Sequence, residues 1–171
     1  AMGEMAKELG IPYDEDLFQE WSNRKAEAYA QFVSEHAEPM PGAVDFVTTV
    51  ARAMPVGLAT GSRRSDVNAA LRVLAGGRLE GVFQTIVTSE DVPNPKPHPA
   101  TYLKAVENLG FQPSECVAFE DSPNGIKSAK QAGLRVVGVT AIHGAEKLPG
   151  TNYLIPDFRG LSLEVLESVL A

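Results

Sequence analysis

Cysteine is almost absent: Cys116 is the only one in 171 residues. No internal disulfide can form, and a reducing compartment fits that usage. Cys116 sits in the apolar run Cys116-Val-Ala-Phe119 and reads as a small core residue, not a reactive thiol. No apolar run approaches the roughly 20 residues that span a bilayer, and no stretch reads as a signal peptide. Basic character is scarce as well. Lys and Arg number 15 against 22 Asp and Glu, the formal net charge is -7, and no segment is rich in cations. That balance argues against nucleic acid or an anionic membrane surface as the main partner. Internal repeats and low-complexity segments are missing too.

What remains is an ordinary globular composition, 44% hydrophobic and 22% charged, at a length suited to one domain with a real core. A cytoplasmic location is expected. Ala1 ahead of Met2 is not how a native chain normally begins. The start reads as a scar or an internal cut, beyond which a targeting peptide could lie.

Residues 1–38 read as helical and hold no convincing strand. Leu17, Phe18, Trp21, Ala28, Tyr29, Phe32 and Val33 follow helical spacing, with Lys25 as a polar interruption, and such a stripe is expected to pack in a core. Pro39, Pro41 and Gly42 then mark a boundary. Beyond it, helices alternate with short β-branched runs. A helix over Ala43–Arg52 places Val44, Val47, Val50 and Ala51 on one face, and a strand Val56–Leu58 follows. A second helix carries Val67, Ala70, Leu71 and Leu74 and stops near Gly76 and Gly77. Next come a strand Thr85–Val87, a helix with Leu103, Val106 and Leu109, and a strand Cys116–Phe119. A helix with Ile126, Ala129 and Ala132 ends at Gly133, and strands Arg135–Val139 and Tyr153–Ile155 precede a last helix through Val165, Leu166 and Val169. The alternation predicts an α/β domain, a parallel sheet covered on both faces, with a helical appendage at its start.

In open α/β sheets ligands gather outside the carboxyl ends of the strands, so the residues just after each strand carry the information. After Leu58 comes Ala59-Thr-Gly-Ser62, whose hydroxyls and backbone N–H groups can face a phosphate, or simply cap a helix. After Val87 comes Val92-Pro-Asn-Pro-Lys96-Pro-His-Pro99. Prolines on both sides stiffen the backbone around Lys96, and a compact ammonium there suits a phosphoryl group and a carboxylate. His98 reads as the start of the following helix, not as a base. After Phe119 come Glu120 and Asp121, then Ser122-Pro-Asn-Gly125 opening a helix. Adjacent carboxylates are hard oxygen ligands of the kind Mg²⁺ uses with water and phosphate, although a single acid here could merely cap the helix.

In this order, the motifs resemble the haloacid dehalogenase superfamily, in particular its phosphatases and phosphomutases similar to beta-phosphoglucomutase. The resemblance covers nearly all of residues 40–159. It rests on Met40-Pro-Gly42, Gly57-Leu-Ala-Thr-Gly-Ser62, Asn94-Pro-Lys-Pro97, Phe119-Glu-Asp-Ser-Pro-Asn-Gly125, Ala129-Lys-Gln-Ala-Gly133 and Val136-Val-Gly-Val139. The resemblance implies a Rossmann-like core over residues 39–171, preceded in 1–38 by part of a helical cap. It implies that Thr60 holds the transferring phosphoryl group with the Gly61 backbone, and that Ser62 and Arg63 lie where relatives touch substrate. Lys96 would neutralise phosphoryl charge and orient the nucleophile, while Asp121, with Glu120, would bind Mg²⁺. The implied activity is a Mg²⁺-dependent phosphatase of a small phosphorylated metabolite, working through an aspartyl-phosphate. A phosphomutase and a non-catalytic binding protein are the alternatives.

Members of this superfamily carry the nucleophile in an Asp-x-Asp-Gly motif ending their first strand, and that motif is absent here. Asp14, Glu15 and Asp16 have the spacing, but no apolar strand precedes them, no glycine follows, and they open a helix. The expectation is therefore a fragment, inactive as it stands, whose central strand belongs between those ending at Leu58 and Phe119. Without it two inner edges lose their partners. The sequence reading expects those strands to close up, to take a strand from elsewhere, or to exchange one with another copy, so self-association is a further expectation.

Overall fold

The computed structural model describes residues 7–10 and 12–170. The helical reading of residues 1–6 and of Ile11, and the opening Ala1–Met2, lie outside them. Among the described residues six α-helices have both bounds defined, in chain order: α1 (Glu15–His36), α2 (Ala43–Ala53), α3 (Arg64–Val73), α4 (Ala100–Leu109), α5 (Pro123–Gln131) and α6 (Leu163–Leu170). Between them run β1 (Gly57–Ala59), β2 (Thr85–Val87), β3 (Val117–Glu120), β4 (Arg135–Val139) and β5 (Tyr153–Ile155). The expected α/β alternation is present, with β1 and β3 displaced by one residue from their sequence-based positions.

Local chemistry explains the helix starts. The Asp14 carboxylate accepts the Leu17 N–H at 3.0 Å, so the acidic cluster at 14–16 caps α1, as expected of acids at a helix start. Ser122 does the same for α5, accepting Gly125 N–H at 3.0 Å, with Pro123 in the first helical position. Gly133 follows α5 with φ +90°, a left-handed end that only glycine adopts without strain.

All strand pairs are parallel, but they form two sheets. β1 pairs with β2, Leu58 opposite Ile86, and β3–β4–β5 form the other sheet, Phe119 opposite Val137 and Val137 opposite Tyr153. Neither closing-up of β1 on β3 nor capture of a strand from elsewhere in the chain occurs among the described residues. Packing gives the reason, because both faces are continuous across the seam. On one face Tyr102 and Val106 of α4 pack with Ile126 and Ala129 of α5 over Ala118, and Ala59 of β1 joins the same cluster. On the other, Phe46 and Val50 of α2 and Leu166 of α6 cover Val56, Val117, Phe119 and Phe158. Phe46, Phe119 and Phe158 stack around one another with ring centres 5.4–5.6 Å apart. Drawing β1 onto β3 would compress both layers, and close-packed interiors resist that.

Two sequence-based expectations about helix faces are corrected. α2 buries Val44, Phe46 and Val50, with Phe46 recruited by the aromatic group opposite. The stripe on α1 is not core: Leu17, Trp21 and Phe32 are 52%, 67% and 60% exposed, and only Val33 is buried. α1 lies along α3, and its large apolar side chains at 17, 21 and 32 are left exposed.

Candidate active site

The three loops singled out from the sequence come together at the carboxyl ends of the strands. Directly after β1, the Thr60 N–H donates to Val87 O at 2.9 Å, continuing the ladder by one residue. The Thr60 Oγ1 accepts Ser62 N–H at 3.1 Å and closes a tight turn. Among the described residues that hydroxyl donates to no protein acceptor, so its proton is available. Gly61, Ser62 and Arg63 are exposed, and the space beside the Gly61 Cα is open. The loop therefore presents a hydroxyl and accessible backbone at a strand-to-helix turn, a suitable surface for an oxyanion.

Lys96 points from its proline-flanked loop into the seam. Its ammonium donates to Ala59 O at 3.0 Å, to the Tyr102 hydroxyl at 3.3 Å, and to Glu120 Oε1. An ammonium has three protons, and all three are used. Lys96 and Glu120 form a buried pair, their side chains 13% and 7% exposed, linking the end of β1 to the end of β3. The lysine thus satisfies an edge carbonyl that the missing pairing leaves open.

Tyr102 is the member of this group that sequence reasoning missed. It is buried in the core with Val106, and its hydroxyl donates to Glu120 Oε1 while accepting from Lys96. The Lys96 ammonium also lies 4.6 Å from its ring centre. Burial, and then the charge of Glu120, push the Tyr102 phenol well above its ordinary range, so it stays a neutral donor. A tyrosine on the inward face of a helix starting just after Lys96 was the available signal, since a buried phenol needs a partner.

Glu120 is correspondingly committed. Ser122 Oγ donates to its Oε2 at 3.3 Å, and the carboxylate fills the space where a side chain on Gly125 would begin. Asp121 next to it is half-buried and makes no hydrogen bond or ion pair among the described residues. No cluster of three or more His, Cys, Asp or Glu able to hold a metal occurs among them either. One free carboxylate beside one paired carboxylate still fits an ion that takes one or two such ligands and completes its shell with water and phosphate. His98 lies where the sequence placed it. Its Nδ1 accepts Ala100 N–H at 3.2 Å at the start of α4, and its carbonyl accepts Ser128 Oγ–H at 2.7 Å. Cys116 is half-buried against the core, and burial pushes its thiol pKa up, as befits an unreactive residue. Among the described residues no helix is long and apolar enough to cross a membrane.

Over residues 1–139 the chain matches the haloacid dehalogenase-like hydrolase family. It is 32% identical over 92% of its length to a validoxylamine A 7'-phosphate phosphatase of Streptomyces hygroscopicus subsp. limoneus, of which it covers 84%. It is 34% identical over 69% of its length to the fructose-1-phosphate phosphatase YqaB of Escherichia coli, covering 61% of that protein. Several curated relatives are thus matched over only about three fifths of their own length. Among solved structures, CbbY of Rhodobacter sphaeroides in complex with xylulose-(1,5)-bisphosphate superposes with a TM-score of 0.74 at 28% identity, over 82% of this chain and 64% of that one. A beta-phosphoglucomutase of Clostridium difficile has the same TM-score at 23% identity, over 92% and 69% of the respective chains, and shows the shared fold. By motif order, strand-end geometry and sequence, this chain belongs to the haloacid dehalogenase-like hydrolase family.

Proposed function

We propose that the chain is the phosphoryl-handling part of a Mg²⁺-dependent phosphatase acting on a small phosphorylated metabolite. The observation that carries this reading is the convergence of the Thr60 turn, the Lys96 ammonium and the free Asp121 carboxylate at one end of the two sheets. Thr60 and the Gly61–Ser62 backbone would hold phosphoryl oxygens, and Arg63 would meet the rest of the substrate. Lys96 would neutralise developing charge. Asp121, assisted by Glu120, would hold Mg²⁺, which supplies a positive centre for phosphoryl oxygens when bound.

In this reading the nucleophile is an aspartate on a strand seated between β1 and β3. Its carboxylate attacks phosphorus, the substrate alcohol leaves, and water then cleaves the acyl phosphate. No described residue stands in that place, so the 171 residues by themselves are expected to be inactive. The relatives named as phosphatases of fructose 1-phosphate and of validoxylamine A 7'-phosphate support a small phosphorylated metabolite. They favour phosphatase over mutase, because those two curated relatives are phosphatases at 32% and 34% identity, whereas the mutases among the solved structures are 23% and 29% identical. The exposed Leu17, Trp21 and Phe32 on α1 fit a helix from a larger cap, consistent with a boundary near residue 38. The open inner edges of β1 and β3 favour association between copies. Sedimentation showing a strict monomer at every concentration would remove that last element.

The test is inorganic phosphate binding, followed by ³¹P NMR in Mg²⁺, together with hydrolysis of p-nitrophenyl phosphate. Binding that is lost in Lys96→Ala and Thr60→Val, without turnover, is the expected result. Turnover by this chain that disappears in Lys96→Ala or Asp121→Ala would contradict the inactive-fragment reading, and phosphate binding indifferent to Lys96 and Thr60 would overturn the site.

A further inference from the structure

Loop 60–63 is not held by its own helix. Arg63 caps α3 without any side-chain hydrogen bond, and the acceptor that α3 lacks comes from another loop: Glu90 Oε2 accepts Arg64 N–H at 2.8 Å. The Arg64 guanidinium then reaches back, donating to Ile86 O at 2.9 Å and to Asp91 Oδ2 at 2.5 Å. That same Asp91 oxygen accepts the N–H and the hydroxyl of Thr88, each at 2.7 Å, and Thr88 is fully buried. Ser89 closes the arrangement, its N–H and Oγ–H both donating to Ser62 O, at 3.1 and 3.2 Å. The loop after β1 is therefore anchored to the loop after β2 at Thr60, at Ser62 and at Arg64. The second loop runs on, through Val92-Pro-Asn-Pro95, to Lys96.

We propose that Arg64 and Asp91 are positioning residues that set the distance between the phosphate-holding turn and Lys96. This rests on the phosphatase reading above. The hydrogen bonds of both side chains go to the protein frame. Asp91 spends one oxygen on three donors from two different segments, and Arg64 spends one nitrogen on two acceptors. Glu90 is the other charged group facing Arg64. Its carboxylate already accepts the first amide of α3, so that donor is not open to a ligand phosphate and the turn at Thr60–Ser62 matters the more. The turn is exposed and short, and its geometry is only as good as these anchors. Truncating Asp91 leaves the buried Thr88 N–H and hydroxyl without their acceptor and frees the guanidinium, so the turn and the lysine loop lose their common reference.

The measurement is inorganic phosphate affinity of the full chain by isothermal titration, alongside amide hydrogen exchange, for wild type, Asp91→Ala, Asp91→Asn and Arg64→Met. Phosphate affinity is expected to fall about tenfold in Asp91→Ala and Arg64→Met, short of the roughly hundredfold a displaced reacting group can cost. Asp91→Asn keeps a carbonyl oxygen for Thr88 and Arg64 and is expected to recover most of the loss, which a general loosening of the fold would not produce. Exchange at Thr60, Ser62 and Arg64, whose N–H groups are hydrogen-bonded, should quicken in Asp91→Ala while β4 keeps its protection. Unchanged affinity together with unchanged exchange at Thr60, Ser62 and Arg64 overturns the proposal, and so does an equal loss in Asp91→Asn and Asp91→Ala. A wild type that binds no phosphate defeats the phosphatase reading instead, and the exchange experiment then decides the anchoring by itself.

Discussion

Gly125→Ala is the most informative single change, because two effects oppose each other and the structure decides the sign. Gly125 is the third residue of α5, and replacing a helical glycine by alanine ordinarily stabilises by about 0.5–1 kcal/mol. Here the added Cβ falls on the Glu120 carboxylate. That carboxylate cannot simply swing aside. Oε1 is held by Lys96 and Tyr102 and Oε2 by Ser122, in a pair whose side chains are 13% and 7% exposed. Removing one partner of a buried pair costs about 3–5 kcal/mol, and displacing the carboxylate without deleting it should cost roughly half of that. Setting the helix gain against it leaves a net loss of about 0.5–2 kcal/mol, or roughly 1–8 °C in melting temperature for a domain of this size. Urea denaturation followed by circular dichroism reads it directly. In a Glu120→Ala background the obstruction is gone, and the same substitution should turn stabilising by about 0.5 kcal/mol. An alanine at 125 that is neutral or stabilising with Glu120 present would refute the buried lysine–glutamate–tyrosine arrangement.

Two further outcomes follow from other residues. Tyr102 keeps its proton in the fold at a pH where an unfolded tyrosine, with pKa about 10, loses it. The raised phenol therefore contributes stability that is complete below about pH 10 and declines as pH rises above it. Tyr102→Phe, which keeps the ring, should flatten that decline and cost about 1–2 kcal/mol at neutral pH; identical alkaline slopes in urea titrations would count against the hydrogen bond to Glu120. Trp21 is the only tryptophan and is 67% exposed. Its emission should be red-shifted and quenched by acrylamide nearly as readily as free indole, whereas a blue-shifted, protected signal would show that α1 finds a cover in solution.

The fold was legible where period, punctuation and local chemistry agree. β2, β4 and β5 fall on their sequence-based spans, and the Asp14 cap and the Gly133 stop follow from backbone chemistry that neighbouring residues alone determine. Burial on helices was less legible, because it depends on what lies opposite. Phe46 is inside because Phe119 and Phe158 meet it, and Trp21 is outside on α1, a helix that lies along α3 and contributes no described residue to either core cluster. Helical spacing in the sequence identifies a stripe but not its partner. The separation of β1 from β3 was foreseeable as a loss of pairing. That the two sheets would stay apart depends on helices α2, α4, α5 and α6 already spanning the seam, which no local pattern encodes.

For the site, residue types at strand ends brought together Thr60, Lys96, Glu120 and Asp121, but not how each is committed. Sequence treats Lys96 as a cation waiting for phosphate, whereas its three protons are already engaged by Ala59 O, Tyr102 and Glu120. Under the proposed reading a phosphoryl oxygen must therefore displace one of these acceptors. Glu120 is the most strongly held, being charged and buried, and Ala59 O would be left unpaired at a sheet edge. The neutral Tyr102 hydroxyl, at 3.3 Å the longer of the two contacts to neutral acceptors, is the acceptor that costs least to replace, since it keeps its own donation to Glu120 afterwards. The tyrosine then has two consequences at once. It completes the shell of Lys96 while no phosphoryl group is there, and it leaves Glu120 hydrogen-bonded when the lysine turns toward one.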